Sequence, residues 1–297
     1  MKPELQIGVN TLVWGRQTYI MGILNITPDS FSGDGLLSAS QELSQPVQES
    51  ALEQAYRFIA EGAHILDVGG ESTRPGAQVV SEKEEMERVL PVLERLVSEL
   101  EVLISVDTYR ANVAEAALKM GAHIINDVWG LRADADLGRV IARHNAPVIL
   151  MHNRSSWAHA EIKQRLGGHY VGIPYDNLVE DVKRELLESV ALAHQAGIPD
   201  ENIILDPGIG FGKSVEQNLE LVDRLGEIRT IGYPVLFGPS RKSFIGYTLD
   251  LPPDQRLEGT AAAVAIGIAR GADIVRVHDV AYISRVARMT DAIVRRN

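Results

Sequence analysis

The sequence predicts an α/β fold, a (β/α)8 TIM barrel with a short N-terminal β-hairpin, filling residues 1–297 as a single domain. Three observations predict it. Short apolar runs rich in β-branched residues recur eight times, a polar or Gly-rich turn follows each, and an amphipathic helical stretch leads to the next. Strands alternating with helices make parallel sheets covered on both faces. Eight such units, at about 250 residues, close into a barrel. An open doubly wound sheet is the structural rival, but no GxGxxG fingerprint follows an early strand.

Taken in order, LQIGVNTLVWGRQT before Ile20 reads as a hairpin that plugs the amino-terminal mouth. The strands are YIMGIL (19–24), AHILDV (63–68), VLISV (102–106), AHII (122–125), PVILM (147–151), NIILD (202–206), PVLFG (234–238) and ADIVRV (272–277). Helices fit Ser50–Ala60, Ala111–Lys119, Asp134–His144, Val215–Leu225, Gly259–Arg270 and Ala281–Arg295. In the stretch 84–100, Met86, Val89, Leu90, Leu93, Val97 and Leu100 share one helical face, and Pro91 kinks that helix or marks its early turns. Val182, Leu186, Leu187, Val190 and Ala193 repeat the pattern before Gly197 ends their helix.

Composition removes several function classes. No window approaches the roughly 20 apolar residues of a membrane span, and the amino terminus lacks the apolar run and cleavage site of an exported chain. Cysteine is absent, which excludes disulfides, thiolate catalysis and cysteine metal sites. A cytoplasmic location is the default. The net charge of −11 argues against nucleic acid and anionic membrane as partners. It makes cations gathered at one place informative.

In a barrel, function sits on the loops after the strands. Those loops are NITPDSFSGDG (25–35), DVGGESTRPG (67–76), DTYR (107–110), NDVWG (126–130), HNRSS (152–156), DPGIGFGK (206–213), GPSRKSF (238–244) and RVHDV (276–280). Asp67, Asp107, Asn126, Asp127 and Asp206 converge on the carboxyl-end mouth, where carboxylates orient a nitrogen-rich heterocycle or hold a divalent cation. Any single one can instead be a helix cap or Asx-turn. Thr73, Arg74, Arg241, Lys242, Arg276 and His278 bring groups suited to phosphate oxygens to the same mouth, the alternative being surface ion pairs. GFGK lacks the phosphate-loop frame, so Lys213-Ser214 reads as a helix start with Ser214 as its cap. TPDSFSGDGL, around Phe31, reads as a lid, with GGESTRPG as its partner, or else as passive surface loops. His144, His169 and His194 read as structural or surface residues.

The blocks MGILNITPDSFS, DVGGESTRPG, SVDT, INDV, LMH, LDPGIGFGK, SRKSFIG and RVHDV, together and in this order from about Met21 to Val280, resemble the dihydropteroate synthase family of folate biosynthesis. The resemblance implies a homodimeric barrel that joins a dihydropterin methyl pyrophosphate to p-aminobenzoate and releases pyrophosphate. It puts the pterin against Asp107, Asn126, Asp206 and Lys242, with Asp107, Asp206, Lys242 and Arg276 as the catalytic set. Thr73, Arg74, Arg276 and His278 would receive the pyrophosphate, and Asn25 would help ligate Mg²⁺ there. Phe31, Asp34 and Pro75 on the two loops, with Phe211, Lys242 and Ser243, match positions that shape the p-aminobenzoate pocket, the site of sulfonamide action in the family.

Two departures stand out. The family's SFSDGG is SFSGDG here, which moves the acid to Asp34, and its MHM is MHNR. The segment 155–176 also exceeds what a barrel connection needs. A pterin carrier resembling the methyltetrahydrofolate-binding domains of corrinoid methyltransferases would not need ESTRPG or SRKSF. A non-catalytic paralogue should have lost Arg74, Arg276 and His278. All of these are present.

Overall fold

In the computed structural model the described residues are 3–26, 45–72, 80–163, 165–171 and 173–296. Two antiparallel strands, β1 (Glu4–Ile7) and β2 (Asn10–Val13), pair from Glu4↔Val13 to Ile7↔Asn10 across a two-residue turn. The barrel follows: β3 (Tyr19–Asn25), α1 (Gln45–Ala60), β4 (Ile65–Gly69), α2 (Glu82–Glu99), β5 (Leu103–Asp107), α3 (Ala111–Met120), β6 (Ile124–Asp127), α4 (Leu137–Arg143) and β7 (Val148–Met151). An inserted hairpin, β8 (Ala160–Lys163) and β9 (Gly167–Tyr170), occupies the long segment after β7. Then come α5 (Leu178–Ala196), β10 (Ile203–Asp206), α6 (Val215–Asp223), α7 (Leu225–Arg229), β11 (Leu236–Phe237), α8 (Ser243–Leu249), α9 (Leu257–Ala269), β12 (Ile274–Val277) and α10 (Val280–Val294). All eight expected barrel strands are present. They pair in parallel in the order β10-β7-β6-β5-β4-β3-β12-β11. A parallel bridge between Leu205 and Val235 joins the two edges into a closed barrel.

The period of two along a strand divides the barrel interior into a dry floor and a polar mouth. Tyr19, Met21, Ile65, Leu103, Ile124, Ile149, Ile204, Leu236 and Ile274 form one buried apolar cluster with Leu5, Ile7, Leu12 and Trp14 of the hairpin, which therefore plugs the amino-terminal end. Each aliphatic side chain sealed there contributes roughly 1.5–3 kcal/mol. Two residues farther along the same strands stand Asp67, Ser105, Asn126, Asp206 and Arg276. The other strand face packs against the helices in a second, larger core.

Two helices differ from their sequence patterns. In α2 the buried residues are Glu85, Arg88, Val89, Val92, Leu93 and Leu96, so the face is rotated from the expected one and Met86, Leu90, Val97 and Leu100 are only half-buried. The cause is polar. Glu85 pairs with Arg110, and Arg88 donates to the Gly70 carbonyl at 2.8 Å, which turns the start of the helix inward. Pro91 lies mid-helix in an unbroken α2 rather than in its first turns. In α5, Leu187 is exposed while Val182, Leu186, Val190 and Ala193 are buried, and Gly197 ends the helix in the left-handed conformation.

The loop after β10 is pressed backbone against backbone onto the loop after β7. Gly208 has φ +69°, and a Cβ there would collide with the His152 carbonyl oxygen; a Cβ on Gly212 would strike Arg154. Gly232, at φ +101°, has open space around it. Gly232→Ala should therefore cost only the backbone strain of about 1–3 kcal/mol. Gly208→Ala should cost more than about 4 kcal/mol, because the collision adds to the strain. Urea titrations of the two variants check this, and equal costs would show that the two loops can separate.

Candidate active site

At the mouth, Arg276 on β12 reaches across the barrel. Its Nε donates to Asp67 Oδ2 at 2.6 Å and its Nη2 to Asp107 Oδ2 at 2.9 Å, while Asn126 Nδ2 donates to the same Asp67 oxygen at 3.1 Å. Asp67 is fully buried, and its Oδ1 has no hydrogen-bond partner among the described residues. Burial pushes the Asp107 carboxyl up to about 8, with Arg276 opposing and Asp67 and Glu85 adding to the rise. Asp206 is raised by burial too, against the pull of Lys242, and its Oδ1 accepts the Gly208 N–H at 2.7 Å.

Lys242 caps the start of α8, next to Ser243, the helix's first residue. Its Nζ donates to the Ile209 carbonyl and lies 4.6 Å from the centre of the Phe211 ring, so Lys242 and the β10 loop hold each other. His278 donates its backbone N–H to Ser240 Oγ at 3.2 Å, and its ring Nδ1 lies 3.0 Å from the same oxygen. Asn25 ends β3 half-buried at the same rim. The structure thus brings Asp107, Asn126, Asp206, Lys242, Arg276, Phe211, Ser243, His278 and Asn25 to the carboxyl end of the barrel. Phe31, Asp34, Thr73, Arg74 and Pro75 lie outside the described residues.

One sequence-derived group does not face the mouth as expected, and a second pairs with an acid there. Asp127 follows inward-facing Asn126, and strand alternation turns it outward, where it accepts the backbone N–H of Trp129 at 2.8 Å and of Leu131 at 2.6 Å. It is the Asx-turn alternative. Arg241 forms a two-pronged pair with Asp279, through Nε at 2.9 Å and Nη2 at 2.6 Å. Ser214 does cap α6, in a reciprocal capping box with Gln217.

Three residues are more prominent than the sequence predicts. Asp67 stands at the centre of the polar cluster rather than as one acid among five. Lys213 is buried against His152, Gly208 and Phe211. On the rim, Arg110 pairs with Glu71 at 2.7 Å and with Glu85, and donates to the Val80 carbonyl at 2.8 Å. These contacts pin residues on either side of segment 73–79. No sequence signal marks Arg110 apart from its position after a strand end.

This arrangement has two chemical halves. Buried carboxylate and amide oxygens on β4, β5, β6 and β10 are acceptors suited to the N–H groups of a flat polar ring. Arg276, Lys242 and His278 stand where a leaving anion would exit.

Comparisons agree. The sequence profile of the pterin binding enzymes matches residues 21–278. The dihydropteroate synthase of Bacillus subtilis (strain 168) is 49% identical over 97% of this chain and 92% of its own length. Among solved structures, a dihydropteroate synthase from Clostridium difficile in the presence of pteroic acid is 45% identical with a TM-score of 0.85, covering 95% of this chain and 99% of that one. The Yersinia pestis dihydropteroate synthase in complex with a sulfonamide drug is 38% identical with a TM-score of 0.86, covering 98% of each chain. With a profile spanning most of its length and relatives this similar, the chain belongs to the pterin-binding enzyme family, among the dihydropteroate synthases.

Proposed function

We propose that this chain condenses 6-hydroxymethyl-7,8-dihydropterin pyrophosphate with p-aminobenzoate, giving 7,8-dihydropteroate and pyrophosphate. The observation that carries this reading is the pairing of a buried acceptor cluster (Asp67, Asp107, Asn126, Asp206) with cations at its exit. Asp107, Asn126 and Asp206 accept the N–H groups of the pterin. The Nη1 group of Arg276 is left over from its two carboxylate bonds and meets the pyrophosphate with His278 and, from the second loop, Thr73 and Arg74. Lys242 and Phe211, with Ser243, Phe31, Asp34 and Pro75, border the arylamine.

The reaction follows from that geometry. The C–O bond between the pterin methylene and pyrophosphate breaks and the electron pair leaves with the pyrophosphate. The electron-rich ring carries the resulting cation, and the carboxylates beneath it favour that charge. The amine nitrogen then bonds to the methylene carbon and gives up a proton. Because an arylamine is already neutral at pH 7, no dedicated strong base is required. Mg²⁺ takes one or two protein oxygens and completes its shell with phosphate and water, so the hard amide oxygen of Asn25 at the rim suits it. Among the described residues no three His, Asp or Glu side chains gather as a cage, and a cation held through Asn25 and the substrate would neutralise leaving charge.

The working unit in this reading is a cytoplasmic homodimer of single-domain chains. No helix among the described residues is long and apolar enough to cross a membrane. α9 carries one charged residue, Glu258, in thirteen, and a helix apolar on all sides is normally covered. Its exposed Ile266 and the exposed stripe Tyr282, Met289 and Ile293 of adjoining α10 offer a surface for a second copy.

The purified protein should release pyrophosphate from the pterin substrate with Mg²⁺ and form dihydropteroate only when p-aminobenzoate is present; binding without release would indicate a carrier. Arg276→Ala should lower turnover by about 10²–10³-fold in steady-state assays, since the leaving charge loses a fixed donor. Wild-type turnover in that variant would remove Arg276 from the mechanism. A third outcome concerns pH. With its carboxyl raised to about 8, unliganded Asp107 is mostly protonated at pH 7, and the free protein loses stability as pH rises from the usual carboxylate range through 8. Pterin N–H donors favour the carboxylate, so binding at pH 7 should release up to about one proton per site and tighten towards pH 8. Calorimetry in buffers of different ionisation enthalpy measures the release, and proton uptake would refute the assignment.

A further inference from the structure

Directly beneath the β10 loop, Lys213 is 1% exposed and has no direct carboxylate partner within ion-pair distance among the described residues. Its Nζ contacts three acceptors: His152 Nδ1 at 2.9 Å, the Gly208 carbonyl at 2.9 Å and the Phe211 carbonyl at 3.0 Å. The ring of His152, itself buried, presents its other nitrogen to Glu185 Oε2 at 3.0 Å. That contact assigns the proton to Nε2 and leaves Nδ1 as an acceptor. Burial lowers the Lys213 amine well below its ordinary value, but an ammonium has three N–H donors and an amine only two, so three acceptors around one nitrogen select the charged form. Asp206 supplies most of the counter-charge, with Glu185, also held by Arg154 at 3.0 Å, adding to it. We infer that Lys213 is a positioning residue for the pterin pocket: its ammonium fixes the β10 loop that orients Asp206 and seats Lys242.

Each link of that chain is a contact. Gly208, whose carbonyl Lys213 holds, donates its N–H to Asp206 Oδ1 at 2.7 Å. Phe211, whose carbonyl Lys213 also holds, places its ring 4.6 Å from Lys242 Nζ. Ile209, between them, accepts from that same Nζ. The Tyr175 hydroxyl donates to the Gly212 carbonyl at 2.9 Å under the stacked Arg154 guanidinium, so the loop is tied from below along its length. Glycines at 208 and 212 let this loop lie against the backbone of residues 152–155, and a lysine stem can thread beneath it to reach the carbonyls. A buried cation is costly unless every donor is used. Here they are all used on one short loop, so the ammonium's placement fixes the loop's placement.

The inference rests on the transferase reading, and its test separates the two. Lys213→Met keeps the length of the side chain and removes the three donors. Its KM for the pterin substrate should rise about 10-fold and kcat/KM fall about 100-fold, the scale of a misplacement near 1 Å. Pterin affinity, followed by ligand fluorescence without turnover, should weaken in parallel. Because the chain has no cysteine, Lys213→Cys can be alkylated while unfolded with 2-bromoethylamine and refolded, beside wild type treated the same way. The restored ammonium should return pterin affinity to near the wild-type value. A Met variant with a lower Tm but unchanged KM, kcat and affinity would overturn the proposal, as would failure of the restored ammonium to rescue a refolded protein. If Lys213→Met does not fold, Glu185→Gln decides: its pterin affinity should weaken, and wild-type affinity there overturns the proposal. A wild-type protein that binds the pterin but releases no pyrophosphate removes the transferase reading, and the affinities of the variants still judge Lys213. No pterin binding by wild type overturns both.

Discussion

The bridge from Arg276 to Asp67 and Asp107 is the constraint on which the mouth of this barrel depends. Two carboxylates on neighbouring strands, both out of water, repel each other and favour protonation. One guanidinium with donors in a fixed fork satisfies both, at 2.6 and 2.9 Å. The arrangement exists because β12, β3, β4 and β5 are consecutive in the barrel, so an arginine on β12 can span to acids two and three strands away. Burial still pushes the Asp107 carboxyl up against the pull of Arg276, and N–H donors from a ligand favour the carboxylate.

Much of this was legible in the sequence because strand period and strand ends are local signals. Eight apolar runs gave eight strands, and the polar residues just after them reached the mouth, including Asp107, Asn126, Asp206, Lys242, Arg276 and His278. The misreadings share a cause. Asp127 lies at a strand end like the others, yet it follows inward-facing Asn126 and adjacent strand residues face opposite ways. Hydrophobicity alone predicts a different α2 face, whereas Glu85 and Arg88 are buried by partners distant in sequence, Arg110 and the Gly70 carbonyl. Arg241 pairs with Asp279, 38 residues away, the ion-pair alternative that the sequence leaves open. Tertiary partners of charged groups are what the sequence does not print.

Lys213 shows the same limit from the other side. Set at the end of a helix cap, it reads as an ordinary start to α6, and Ser214 does perform that cap. What distinguishes it is the loop folded over it, which depends on β7 and β10 being neighbours. The insertion after β7 is tied in similarly: Arg256 donates to Leu166 of the hairpin at 2.8 Å and to the Arg241 carbonyl at 2.9 Å. The turn that carries Lys242 is therefore braced from the β10 loop on one side and from the inserted hairpin on the other.

A net charge of −11 and an anionic substrate present a contradiction only at long range. At physiological ionic strength the field of a surface charge decays over about 8 Å, so the acidic exterior has little say once a substrate is inside the mouth. There the charges that matter are fixed, few and close. Asp67 and Asp206 are buried and Asp107 nearly so, where they act on the ring, and Arg276, Lys242 and His278 are half-buried beside them, where they act on the leaving group. The two sets come from different strands: the acids from β4, β5 and β10, the cations from β12 and from the loops after β11 and β12. Opposite charge demands, a cationic ring and an anionic leaving group, are met by the position of each group around the barrel rather than by overall composition. That is why the acidic balance of the whole chain could not decide what kind of ligand it takes.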